Sequence, residues 1–165
     1  MRIQVDLEKC AGCKTCEMAC YFFKSKRFNP KKSSVRVAKI DRYGIDHPIM
    51  CRQCVNPPCI SSCPTEALYK DGEVVKVEPE KCAGCRICIE SCIIGAINFD
   101  SHRGLPVICD LCGGDPVCVK WCPTGALSLK NGPQRKKIRD YTEKKAESLL
   151  EKWGITADTP LSDYL

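Results

Sequence analysis

Sixteen cysteines in 165 residues, falling in four groups of four, constrain this chain more than any other feature. The tightest group is Cys82, Cys85, Cys88 and Cys92, in the run Cys-Ala-Gly-Cys-Arg-Ile-Cys-Ile-Glu-Ser-Cys. Three thiolates at this spacing wrap one corner of a cubane iron–sulfur cluster. The fourth sits one helical turn on and points towards a second cluster. Gly84 permits the tight bend that brings backbone N–H groups near sulfur. Cys10, Cys13, Cys16 and Cys20 repeat the spacing, with Gly12 in the loop. Cys51, Cys54, Cys59, Cys63 and Cys109, Cys112, Cys118, Cys122 differ from it only in the length of the middle gap.

In a short secreted chain this density of cysteine reads as a disulfide scaffold. Residues Met1 to Asp6, however, lack a charged segment leading into an apolar one, so no signal peptide is visible. No stretch approaches the ~18 consecutive apolar residues of a membrane span. The expectation is metal-bound thiolates in a reducing cytoplasm. The formal charge of +6 treats every cysteine as neutral. A four-thiolate cubane carries about −2, so four of them bring the assembled protein to about −2. Much of the Lys/Arg excess then compensates bound clusters, and a nucleic-acid footprint is a minor reading.

Along the chain, Ile3, Val5 and Leu7 alternate with polar residues as a half-buried strand does. Glu17 to Phe23 reads as a short helix whose aromatic end shields a cluster from water. The basic run Lys24 to Lys32 reads as a loop, solvated or docking to an acidic partner. Ser34 to Ile40 is another strand, with a turn near Gly44. Pro57 and Pro58 open a short helix, and Pro64 discourages its continuation. Ala67 to Tyr69 and Val74 to Val77 flank Asp-Gly as a hairpin. Ile94 to Phe99 and Leu105 to Ile108 predict a second one.

Three fourth-position cysteines begin near-copies of one phrase: Cys63-Pro-Thr-Glu-Ala-Leu, Cys92-Ile-Ile-Gly-Ala-Ile and Cys122-Pro-Thr-Gly-Ala-Leu. Such repetition points to duplicated cluster-binding units. Ile93 replaces proline in the middle copy, which loosens the turn without removing a ligand. Beyond Arg135 the cysteines cease. Ile138, Tyr141, Ala146, Leu149, Leu150 and Trp153 predict an amphipathic helix, packed on its own body or on a partner.

Lys14 and Arg86 lie in ligand loops, placed either to raise the potentials of adjacent clusters or to face solvent. Trp121, beside Cys122, is expected to shield a cluster. His47 and His102 show no ligand spacing. The chain carries no GxGxxG fingerprint, P-loop, HExxH or nucleophile elbow. Catalysis by this chain alone is therefore not expected, and substrate conversion falls to a partner. A zinc-binding interaction module is a competing reading of paired C-x2-C motifs. Four cysteines within the eleven-residue run 82–92 fit a cubane better.

Over about residues 3–130 the four groups resemble the four-cluster [4Fe-4S] ferredoxin-type electron-transfer subunits of molybdenum and tungsten oxidoreductases. Related small subunits accompany hydrogenases, formate dehydrogenases and carbon monoxide dehydrogenases. The resemblance implies that groups pair first with fourth and second with third, each pair exchanging its last cysteines. Cluster one would take Cys10, Cys13, Cys16 and Cys122; cluster two Cys20, Cys109, Cys112 and Cys118. Cluster three would take Cys51, Cys54, Cys59 and Cys92; cluster four Cys63, Cys82, Cys85 and Cys88. The implied fold is α+β, two ferredoxin-like units of short strands and helices around four clusters, plus a C-terminal helical tail. One unit is discontinuous (1–45 and 103–134), the other is inserted within it (46–102), and the tail is 135–165.

The resemblance further implies electrons passing singly between a larger catalytic subunit, with a molybdenum or tungsten pterin and aldehyde oxidation in view, and another redox partner. A free polyferredoxin serving a hydrogenase or carbon monoxide dehydrogenase is the alternative. All sixteen ligand positions are cysteine, so no three-iron cluster is expected. The short Cys112–Cys118 gap and the lack of long extensions argue against direct membrane insertion. They resemble the compact small subunits of tungsten aldehyde oxidoreductases and hydrogenase-associated ferredoxin-like proteins.

Overall fold

Among the described residues, four two-stranded antiparallel sheets alternate with four helices, an α+β arrangement. The computed structural model describes residues 1–40, 44–131 and 151. The chain divides into Met1–Gln134 and Arg135–Leu165. The predicted amphipathic helix and tail from Ile138 to Leu165 lie outside the described residues, apart from Glu151.

The helices are α1 (Thr15–Ser25), α2 (Pro58–Ser61), α3 (Ile87–Glu90) and α4 (Val117–Lys120). Three of them are four residues long. Single turns of that length do not persist in water by themselves. Each is held through one cysteine at its centre that is buried in the core, Cys59, Cys88 and Cys118 respectively. Proline fixes the approach to two of them, Pro57 before α2 and Pro116 before α4.

The strands are β1 (Arg2–Val5), β2 (Val35–Ile40), β3 (Ile45–Met50), β4 (Leu68–Asp71), β5 (Val74–Val77), β6 (Asn98–Asp100), β7 (Leu105–Val107) and β8 (Leu127–Lys130). β1 pairs with β8, setting Ile3 opposite Leu129 and Val5 opposite Leu127. This long-range ladder brings the two ends of the cysteine array together, and α1 packs on α4. The other sheets are local hairpins, β2–β3, β4–β5 and β6–β7. The Asp-Gly hairpin forms as expected, with Gly72 at φ 61 in its loop. The β2–β3 hairpin runs across residues 45 and 46, where the sequence places a segment boundary.

The fully buried aliphatic side chains are Ile3, Met50, Leu111, Val35 and Val75. The same core contains seven cysteines below a tenth exposure: Cys16, Cys20, Cys51, Cys59, Cys88, Cys109 and Cys118. Thiols thus fill positions that leucine and valine fill in an ordinary small domain.

The structure corrects several readings of the sequence. Residues 45–50 form a strand that period-two reading misses, because Pro48 interrupts the alternation. Lys24 ends inside α1 and Pro30–Lys32 is a 3-10 turn, so the basic run is only partly loop. Lys24 and Lys32 turn inward, to Asp110 at 2.9 Å and Asp100 at 2.8 Å. The aromatic end of α1 does not shield: Phe22 and Phe23 are exposed, Phe22 stacking on the exposed Phe28 at 4.8 Å. Trp121 is likewise 61% exposed, so it covers little.

Candidate metal centres

Each cysteine group begins with the same backbone device. The second residue after the first cysteine adopts positive φ in all four: Gly12 at 59°, Gln53 at 51°, Gly84 at 66° and Leu111 at 57°. Only two are glycine, so two loops accept the steric cost of a left-handed side chain. The gain is a backbone N–H turned back to sulfur. Gly12 donates to Cys10, Gln53 to Cys51 and Leu111 to Cys109. Gln53 also uses its buried amide, donating to the Cys109 carbonyl at 2.7 Å and accepting from Val75 N at 2.8 Å. Lys14 and Arg86 occupy a second positive-φ position, where they precede α1 and α3. Arg86 lies 4.2 Å over the Phe99 ring.

The repeated phrase forms a second device, at the fourth cysteines. After Cys63, Cys92 and Cys122 the chain turns at Glu66, Gly95 and Gly125, with φ 52°, 61° and 65°. The Thr65 hydroxyl approaches Cys63 Sγ at 3.8 Å and the Thr124 hydroxyl approaches Cys122 Sγ at 3.7 Å. Ile94 has no hydroxyl at this place, and Ala96 N donates to Cys92 Sγ at 3.3 Å. The two threonines escape sequence reasoning that looks only at cysteines, although the phrase repeat itself contains them.

The structure brings the sixteen thiols into four neighbourhoods. Cys63, Cys82, Cys85 and Cys88 line one cavity, with Phe99 and Arg86 in its wall. Cys10, Cys13, Cys16 and Cys122 line another, with Val37, Pro48 and Lys14. Cys92 lies within electrostatic reach of Cys54 and Cys59, and Cys51 reaches the same two. Cys20 stands likewise to Cys109, Cys112 and Cys118. Neighbourhoods also touch in sequence. Cys16 reaches Cys118, Cys109 reaches Cys51, and Cys59 reaches Cys88.

Burial dominates the acidity of the inner thiols. Desolvation pushes Cys16, Cys51 and Cys109 up to about 12 and Cys88 to about 11, and it raises Cys118 further. Cys63 and Cys122 go the other way. Desolvation is the largest single influence and raises both, but the N–H groups of residues such as Leu68 and Leu127, together with the threonine hydroxyls, outweigh it in sum and hold both below the ordinary thiol value.

Among the described residues, no three Cys, His, Asp or Glu side chains converge as one metal ion requires. The thiols ring cavities instead. Soft sulfur donors grouped in fours, with N–H groups aimed at them and no convergence on a single ion, fit [4Fe-4S] clusters. His47 and His102 line neither cavity. Among the described residues, no helix is long and apolar enough to cross a membrane.

Such sites define a ferredoxin-like iron–sulfur protein that carries multiple [4Fe-4S] clusters and transfers electrons. Residues 44–132 match the family described as 4Fe-4S dicluster domain, and the chain belongs to that family. It is 35% identical over 154 residues to the aliphatic sulfonate oxidoreductase polyferredoxin-like subunit of Pyrococcus furiosus, covering 90% of this chain and 88% of that one. It is 34% identical over 148 residues to the electron transport protein HydN of Escherichia coli, covering 76% and 85%. It is 35% identical over 134 residues to the beta subunit of the NADH-dependent phenylglyoxylate dehydrogenase of Aromatoleum evansii. That match covers 76% of this chain but only 29% of the beta subunit.

Proposed function

We propose that the chain is the electron-transfer subunit of a larger oxidoreductase, passing electrons one at a time along four [4Fe-4S] clusters. The ligand sets are Cys10, Cys13, Cys16, Cys122; Cys20, Cys109, Cys112, Cys118; Cys51, Cys54, Cys59, Cys92; and Cys63, Cys82, Cys85, Cys88. Two ferredoxin-like units, one inserted within the other, follow from these sets. The observation that carries the reading is the succession of neighbouring thiols, Cys16 to Cys118, Cys109 to Cys51 and Cys59 to Cys88. It supports a row running from one cavity to the other.

When bound, each cluster supplies reversible one-electron storage. The chain's own residues do the rest. Sixteen thiolates fix the spacing, N–H donors at Gly12, Gln53 and Leu111 stabilise negative sulfur, and Val37, Phe99 and Leu111 keep water away. Substrate turnover belongs to a catalytic partner. A molybdenum or tungsten pterin subunit is the partner the family resemblance implies, with aldehyde oxidation as its reaction. The similarity to an oxidoreductase subunit along nearly the whole chain supports the subunit reading. The similarity to HydN favours a second reading, a free carrier between enzymes.

Anaerobic purification under native conditions separates these. The subunit reading expects a brown complex with a large catalytic chain, and about sixteen iron and sixteen sulfide per copy of this one. A lone brown monomer that accepts and returns electrons selects the free carrier. A colourless, zinc-loaded preparation overturns both.

A further inference from the structure

One position in the repeat breaks its own rule. The residue after the third cysteine is Ile60, Ile89 and Val119 in the second, third and fourth groups, each packed against the apolar core. In the first group it is Glu17, and Glu17 is only 7% exposed. Its Oε1 accepts from Val37 N at 2.6 Å, and Val37 lines the cavity of Cys10, Cys13, Cys16 and Cys122. A second carboxylate approaches the same cavity from outside. Asp46 stands so close over Gly12 that an added Cβ would fall 2.1 Å from its Oδ2. Asp46 pairs with Lys39 at 3.4 Å, while no described cation is paired with Glu17. Lys14 lines this cavity as Arg86 lines the far one, and both are exposed and screened by solvent, so the ends differ in the buried Glu17 rather than in these cations.

The other three neighbourhoods differ. Lys70 and Arg52 face Cys54. Asp110 beside Cys109 is matched by Lys24 at 2.9 Å. The group lining the cavity at the far end of the row has Ile89 in the place of Glu17. We propose that the row is electrically polarised, and that the end formed by Cys10, Cys13, Cys16 and Cys122 is the hardest to reduce because the Glu17 carboxylate is buried against it. A fixed anion disfavours each added electron, and it does so most strongly where water is excluded. An electron delivered at this end therefore runs downhill towards Cys63, Cys82, Cys85 and Cys88, leaving the first site oxidised as the next is reduced.

The inference rests on the ligand sets proposed above, and one experiment separates the two. An EPR-monitored redox titration is run on the cluster-loaded full chain and on Glu17→Gln, which keeps an acceptor for Val37 N while removing the charge. The signal with the lowest potential is expected to become about tenfold easier to reduce, about 59 mV for one electron. The remaining signals move less than about twofold. Asp46→Asn, at a site that does not depend on the buried bond, should move the same signal by about threefold. Cys13→Ser and Cys122→Ser identify the signal. If these two serine variants perturb different signals, the ligand sets are wrong. If they perturb one signal, and Glu17→Gln and Asp46→Asn leave it at its wild-type potential, the polarity is wrong and the sets stand.

Discussion

Cys20 and Cys122 hold the same place in the repeat, yet the chain fixes them by opposite means. Cys20 lies inside the eleven-residue α1, buried with Cys16 on one helical face and with the helix continuing past it. Cys122 follows a four-residue helix that stops, and its sulfur is fixed by the turn beyond, with the Thr124 hydroxyl at 3.7 Å. Cys63 and Cys92 follow the second pattern. The first means relies on helix continuity and burial, the second on backbone donors at a left-handed turn. One cysteine spacing therefore has two structural solutions, with different tolerances to substitution.

Proline should separate them most sharply. Ala19→Pro, between the two buried cysteines of α1, removes a helix hydrogen bond and costs about 3 kcal/mol or more. Two ligands move at once, so iron content is expected to fall by about half. Ile93→Pro, at the turn after Cys92, is expected to be neutral or to gain up to about 1 kcal/mol, since Pro64 and Pro123 stand there already. Iron analysis and anaerobic denaturation check both, and a harmless Ala19→Pro breaks the distinction.

Acidity gives the next largest effect. Cys16, Cys51 and Cys109, raised to about 12 by burial, hold protons at neutral pH when no metal is bound. Loading iron releases those protons, so loading strengthens as pH rises and weakens as it falls. Reconstitution of the apoprotein followed by absorbance should show at least about tenfold tighter loading per pH unit between about 6 and 8. The turn-held Cys63 and Cys122, held low, contribute least to this slope. A flat profile would remove the buried thiols from the loading step.

Smaller effects belong to the turns themselves. Glu66 carries a side chain at φ 52, where the sister turns have Gly95 and Gly125. Glu66→Gly is expected to stabilise by about 1 kcal/mol, read from the denaturation midpoint. Thr124→Val removes one donor near Cys122 and should cost about 0.5–1.5 kcal/mol. The reciprocal Ile94→Thr beside Cys92 is expected to recover a fraction of that.

The sequence made α1, the proline-opened α2 and the local hairpins at Gly72 and Gly104 legible, whereas the four-residue α3 and α4 are too short to leave a periodic pattern. Charge and hydropathy patterns did less well wherever a residue has a tertiary partner. Lys24 and Lys32 look like surface loop because their partners, Asp110 and Asp100, are distant in sequence. Pro48 hides a strand whose pairing with Val37 no local rule announces. Glu17 is invisible to motif reading, since a carboxylate at its place in a helix is ordinarily solvated. At the ligand loops, Gly12 and Gly84 reveal the backbone bend, whereas Gln53 and Leu111 adopt it without the signal. The first cysteine group's independence from the repeated phrase was legible only as an omission.

The ladder between β1 and β8 ties the beginning of the chain to residue 130. Ribosomes emit roughly 5–20 residues per second, so Cys10, Cys13 and Cys16 emerge seconds before Cys122 does. If the ligand sets proposed above hold, nascent chains carry an incomplete first site while Cys51 to Cys92 are already available for metallation. Maturation by iron–sulfur donors would begin in the middle of the molecule and close at its termini, where a late truncation does the most damage.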